Sequence, residues 1–203
     1  MGIKVRKDGQ WVTVATVSLG TGNTKVAVLR DQKNKGVNGG TFVQDGWRDR
    51  DLTVEDDPFS FVTLYPTTNG QTTPSAGNTP GYFSLPAGKY KITFSAVARD
   101  VNGHLAAIIW DTNQSLINKV YNYSTDSSQL DGYFYGTSAN SPSDVTSFSK
   151  GSAIVDITTT SFFKVIHFCN KTDDNTGFGE PVNIGDADKE TYLIIEIEDL
   201  ETA

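Results

Sequence analysis

At 203 residues and net charge −7, with one cysteine and two histidines, the chain can build one large β domain without disulfides or metals. The acidic balance excludes unspecific nucleic-acid binding, which requires a positive field along the phosphates. The lone Cys169 excludes an intramolecular disulfide.

The opening MGIKVRKDGQW lacks the apolar core and cleavage pattern of a signal peptide. No run reaches the ~20 apolar residues of a membrane helix, so a cytoplasmically made chain without membrane insertion is expected. Residues 3–6 and 11–14 alternate apolar and polar around Asp8-Gly9, which signals a hairpin. The Gly-rich stretch 18–23 then reads as a flexible link. Residues 1–22 are therefore predicted to be an anchoring arm with its linker, and residues 23–203 a separate head domain. A lone hairpin is marginal in water, so Trp11, Val12 and Val14 are expected to anchor it on another protein.

Beyond residue 24, strands are expected at 25–31, 41–49, 59–65, 81–85, 88–99, 104–111, 115–123, 131–136, 146–157, 160–170 and 190–199. Val26-Val28 and Ile92-Phe94-Ala96 show the period-two spacing of half-buried strands, and no long segment has a 3.6-residue period. The class this predicts is all-β, a jelly-roll β-sandwich of about ten strands. The polar stretches 66–80 and 171–189 are expected to be exposed, variable loops. In the last strand, Leu193, Ile195 and Ile197 alternate with Tyr192 and Ile194. A strand apolar on both faces must be covered on both, and the sandwich core covers only one.

Catalytic signals are sparse. His167 and Cys169 share a strand face, but reactive thiols need an accessible, electropositive setting, and an apolar strand predicts a buried pair. There is no nucleophile elbow and no paired-carboxylate constellation, so no catalytic residue, no cofactor and no enzymatic activity are predicted. Asp186, Asp188 and Glu190 are calcium candidates, since hard cations take several oxygen ligands, although the spacing of a calcium hand fails at Thr191. Tyr121, Tyr123, Tyr133 and Tyr135 are candidates for a ligand-facing surface, because tyrosine offers a large ring and a polar tip. Trp47, Arg48 and Arg50 form either a ligand-binding corner or a structural staple. Alternation places the two arginines on one face, opposite Trp47, with Asp45 or Asp51 as expected partners.

The run from Thr24 to Leu52, the segment Gly81-Tyr82-Phe83-Ser84-Leu85-Pro86-Ala87-Gly88-Lys89-Tyr90-Lys91-Ile92, the Asn102-Gly103-His104 turn and the closing strand Thr191–Ile197 resemble one family. It comprises the trimeric jelly-roll heads of virus tail and head appendages, relatives of tumour-necrosis-factor and complement globular-head domains. The resemblance implies that the Trp47–Leu52 segment closes the sandwich edge. It also implies a homotrimer, with Tyr192 and Ile194 facing two further copies. The expected function is then a phage virion component: a short trimeric appendage or tail-fibre-type head that contacts a host surface glycan or protein. Other virion proteins would hold residues 1–22. A capsid-decoration (cement or head-fibre) protein is the alternative, and a glycan depolymerase or a secreted lectin-like module the second.

Overall fold

The long alternating segments become strands, and the irregular ones decide how those strands are held together. The computed structural model describes residues 2–7, 10–16, 24–66, 80–119, 127–183 and 188–200. In chain order the elements are β1 (Gly2–Lys7), β2 (Gln10–Thr16), β3 (Lys25–Asn34), β4 (Arg48–Asp49), β5 (Val54–Asp56), β6 (Thr63–Tyr65) and β7 (Tyr82–Leu85). They continue as β8 (Gly88–Arg99), β9 (Asn102–Asp111), the single helical turn α1 (Gln114–Ile117), β10 (Gly132–Tyr135), β11 (Ala139–Ser141), β12 (Thr146–Ile157), β13 (Ser161–Cys169) and β14 (Lys189–Asp199).

Strands β1 and β2 pair antiparallel as a two-stranded sheet of their own, as the alternation around Asp8-Gly9 predicts. The side chains of Trp11, Val12 and Val14 lie outside the described set. The remaining strands form two antiparallel sheets. One is five-stranded, in the order β12-β8-β14-β3-β5. The other is seven-stranded, with β10-β9-β13-β7-β6 as its path and β11 and β4 added on β9 and β13. The chain changes sheet at most connections, so spatial neighbours such as β3 and β14 are far apart in sequence. That strand order makes the protein a jelly-roll β-sandwich.

Period two sorts the side chains. On β8, Tyr90, Ile92, Phe94 and Ala96 point between the sheets, where they meet Phe163 and Val165 of β13 and Leu193, Ile195 and Ile197 of β14. A second apolar cluster lies on the outer face of the seven-stranded sheet, built on Ala107, Ile109 and Ile166 and covered by Ile117. The excursion between β9 and β10 supplies that cover.

The expected strand over 115–123 is not formed at its start. Asn113 accepts a hydrogen bond from the Ser115 N–H (3.1 Å) and caps α1, whose Ile117 is fully buried. Residues 120–126 lie outside the described set. The expected strand 41–49 also shrinks, to Arg48-Asp49. Phe42 makes an isolated bridge to Asp173 instead, and a Cβ on Gly39 would stand 2.6 Å from the Phe178 backbone. Asn38, Gly39 and Gly40 therefore form a seat for residues 173–179, with Gly39 and Gly40 bonded through their N–H groups to the Gly179 and Asn175 carbonyls. Those residues in turn are not the exposed loop expected, since Phe178 is buried.

At this end the sandwich is held by charge. Arg50 is fully buried and donates from Nη1 to the Val97 carbonyl on β8 (3.2 Å) and from Nη2 to the Tyr192 carbonyl on β14 (2.9 Å). Its carboxylate partner is Asp31, 3.7 Å away, not the Asp45 or Asp51 expected from the sequence; Asp51 is held by Lys33 at 2.7 Å. The Phe178 ring closes the site, 4.3 Å from the guanidinium carbon. Burial raises the Asp31 carboxyl to about 6, against the opposing pull of Arg50 and Lys33. Removing Arg50 would leave Asp31 buried without its main partner. Arg50→Ala is expected to cost about 3–5 kcal/mol in urea unfolding, the usual loss when half of a buried ion pair is deleted. A loss below about 1 kcal/mol would show that the sheets are coupled by apolar packing alone.

Candidate functional site

The two histidines meet inside the sandwich. His104 Nδ1 lies 2.9 Å from His167 Nε2, and His104 Nε2 lies 2.7 Å from Ser147 Oγ. These contacts suit two neutral imidazoles passing one hydrogen bond along a line. Burial lowers the proton affinity of both and the nearby Arg50 charge lowers it further, taking His104 to about 4 and His167 well below the usual range. Cys169 shares their face but not their network. Its thiol donates to the Lys171 carbonyl (3.2 Å), and burial pushes it up to about 12. A thiol held protonated in that way is a poor nucleophile.

Of the calcium candidates, Glu190 and Asp188 are described. Asp186 lies outside the described residues. The Glu190 carboxylate accepts the Asn183 N–H (3.1 Å), and the Asp188 carbonyl accepts the Lys35 N–H (2.9 Å). Among the described residues no group of three or more His, Cys, Asp or Glu is placed to hold a metal ion.

A cavity of about 170 Å³ opens on the outer face of the seven-stranded sheet. Ile109 and Ile166 form its floor, Trp47, Tyr133 and Tyr135 its wall, and Ser127 and Ser128 its rim. Two of the four tyrosines singled out from the sequence are thus present; Tyr121 and Tyr123 lie outside the described residues. Alternation along β10 sends Phe134 inward and leaves Tyr133 and Tyr135 exposed, at 53% and 45%. The Trp47 and Tyr135 rings are near parallel with centroids 6.0 Å apart, and Tyr133 meets Tyr135 at 5.2 Å. Trp47 belongs to this wall, while Arg50, three residues on, is the staple. The motif therefore places a cavity-lining ring and a structural guanidinium three residues apart.

The other candidate surface is the outer face of the five-stranded sheet. A β-bulge between Thr191 and Leu193 splits the pair expected to lie there. Tyr192 is buried within its own chain, donating its hydroxyl to the Val37 carbonyl (2.8 Å), so it does not face a neighbour. Ile194 does face outward.

Neither the scan of family models nor the search of curated proteins gives a match. Among solved structures, the chain is similar to the globular domain of the zebrafish complement 1qA protein. That likeness has 10% identity and a TM-score of 0.46, over 89% of this chain and 100% of the other. A second is an isomalto-dextranase of Arthrobacter globiformis T6, complexed with panose, at 9% identity and a TM-score of 0.29. It spans 86% of this chain and 32% of that one. The class rests on the strand order by itself, which is that of a jelly-roll β-sandwich.

The histidine pair gives a pH test. Each imidazole binds protons less readily folded than unfolded, so its contribution is full above the ordinary value of 6.5. For His104 it is lost as pH falls towards about 4. Asp31 has the opposite sign, because its carboxyl is raised from 3.8 to about 6 and acid in that window favours the folded chain. Imidazole NMR shifts at about pH 5.5 should therefore still be those of neutral rings. A midpoint near 6.5 for either histidine would contradict the buried pair.

Proposed function

We propose that this chain is the head of a homotrimeric appendage on a phage virion, built to contact a host surface, with residues 1–22 docking it to other virion proteins. The virion setting rests on the sequence resemblance of residues 24–52 and the later segments. The trimer reading is supported by an observation of the fold, the apolar side chains exposed among the described residues on the outer face of the five-stranded sheet. Ile194 on its central strand β14 is 38% exposed, and Phe148 and Ile154 on β12 are 48% and 62% exposed. Val26 on β3 adds a fourth apolar side chain at 40%. A shallow cavity of about 250 Å³ lies against Ile194, bounded by Lys150 and Glu196. An apolar patch interrupted by charges of both signs marks a protein interface more than a free surface. Further copies around a three-fold axis would cover it and leave no open interface.

The hairpin of residues 2–16 supports the docking role. It forms a sheet of its own, and a hairpin with free edges is a template for pairing with another chain. The exposed tyrosines of β10 lie on the opposite sheet, away from the five-stranded face that the further copies would cover. No catalytic role is assigned to the head.

Sedimentation should give a trimeric mass, and a compact monomer would refute the architecture. Ile194→Asp should yield a folded monomer, because it places unpaired charges at the interface. Tyr192→Asp should instead unfold the domain, since that ring is buried within one chain. Deleting residues 1–22 should leave the trimer's melting temperature unchanged and abolish incorporation into particles. Failure to trimerise, or continued assembly onto particles, would contradict the docking role.

A further inference from the structure

The cavity walled by Trp47, Tyr133 and Tyr135 has features that together define a ligand class. Among the described residues its polar side-chain groups are the hydroxyls of the two tyrosines and of Ser127 and Ser128 and the indole N–H of Trp47, and none of these side chains is charged. The described lining thus offers no counter-charge to an ionic ligand, and the chain's net charge of −7 repels a free anion further. Three rings in a continuous wall over an isoleucine floor offer an apolar face of limited size. A ligand with one flat C–H face and a belt of neutral hydroxyls satisfies both halves of that lining.

The site is also built rather than incidental. The excursion that carries Ser127 and Ser128 is tied at its base by two reciprocal carboxylates. Asp111 accepts from the Asn113 and Asp131 N–H groups (2.6 and 3.2 Å), and Asp131 accepts from the Thr112 N–H (2.7 Å). Lys164, fully buried on β13 opposite the floor residue Ile109, pairs with Asp49 at 2.8 Å and donates to the Lys119 carbonyl at 2.6 Å. A buried ammonium that satisfies a loop carbonyl fixes that loop to the sheet, because pulling it away would strand the charge.

We infer that this cavity binds the ring of a neutral pyranose, with Trp47, Tyr133 and Tyr135 as the stacking wall and the seryl and phenolic hydroxyls as hydrogen-bond partners. The inference rests on the surface-contact function proposed above, and it names the ligand: a neutral sugar unit of a surface glycan. A pocket of this size takes one ring, so a single sugar binds weakly, and a trimer presenting three such sites gains its strength from avidity.

The test uses the full chain with methyl pyranosides of glucose, galactose, mannose, N-acetylglucosamine and N-acetylgalactosamine at millimolar concentration, read by saturation-transfer NMR. At least one should receive saturation at its ring protons. Tyr133→Ala and Tyr135→Ala should each weaken it about tenfold, the factor carried by one stacking contact. Both positions are exposed, so these variants should melt as the parent does, and Ile154→Ser on the other sheet should bind as the parent does. Absence of binding by every sugar, or binding that both tyrosine variants retain, overturns the inference. Adsorption to host cells separates the two claims. If adsorption survives the Tyr133→Ala/Tyr135→Ala double variant and no sugar binds, the sugar site is wrong and the surface role stands. If sugar binds through the tyrosines but the protein is absent from particles, the virion role fails and the site stands.

Discussion

One buried guanidinium couples the two sheets. Arg50 leaves the seven-stranded sheet next to β4 and reaches carbonyls on β8 and β14 of the other, with Asp31 of β3 as counter-charge. A charge taken out of water so completely is tolerable only when carbonyl dipoles and a carboxylate replace the lost hydration. Arginine suits the place because its planar fork reaches several acceptors at once, and lysine would not. Burial keeps the histidine pair neutral, and Arg50 adds to it, since an imidazolium nearby would bring a like charge into a dry site. Residues 173–179 are bound in as well, through the Phe178 carbonyl and ring.

With the sheets so fixed, their outer faces meet different ends. The seven-stranded sheet covers its apolar outer patch with its own chain, using α1 and the segment beyond it, and the buried Lys164 holds that cover down. The aromatic cavity is what remains at the border of this cover. Among the described residues no such excursion crosses the five-stranded sheet, and Ile194, Phe148 and Ile154 are exposed. One face is thus closed internally and keeps a small cavity at its margin. The other is the face that the proposed assembly would cover with further copies.

Much of the fold was legible because period two is robust in long strands. β8, β12, β13 and β14 lie where alternation places them. What was not legible depended on partners distant in sequence. Asp31 lies nineteen residues before Arg50, and the pairing of β3 with β14 brings it near. Asp51, next in sequence to Arg50, is instead held by Lys33. The bulge at Tyr192 inserts one residue and sends that ring inward, which no apolar-polar pattern reveals. Over 115–123 the strand expectation failed at its start because Asn113 caps a helical turn with its own side chain. For the cavity, the tyrosines of β10 could be read from their alternation. Trp47 was singled out with the arginines rather than with the tyrosines, and the two serines not at all, because these residues arrive from other segments.

The central claim, that copies of this chain meet across the five-stranded sheet, can be tested on the native assembly with a thiol probe. Cys169 is fully buried, so the parent protein gives a silent background. Ile194→Cys places a thiol at the proposed contact, and Tyr133→Cys places one on the exposed opposite face. In the assembled protein the thiol introduced at 194 should resist maleimide and react only after dissociation, while the one at 133 reacts at once. Equal, fast reaction at both positions in native protein would show that the face is open and that the account is wrong.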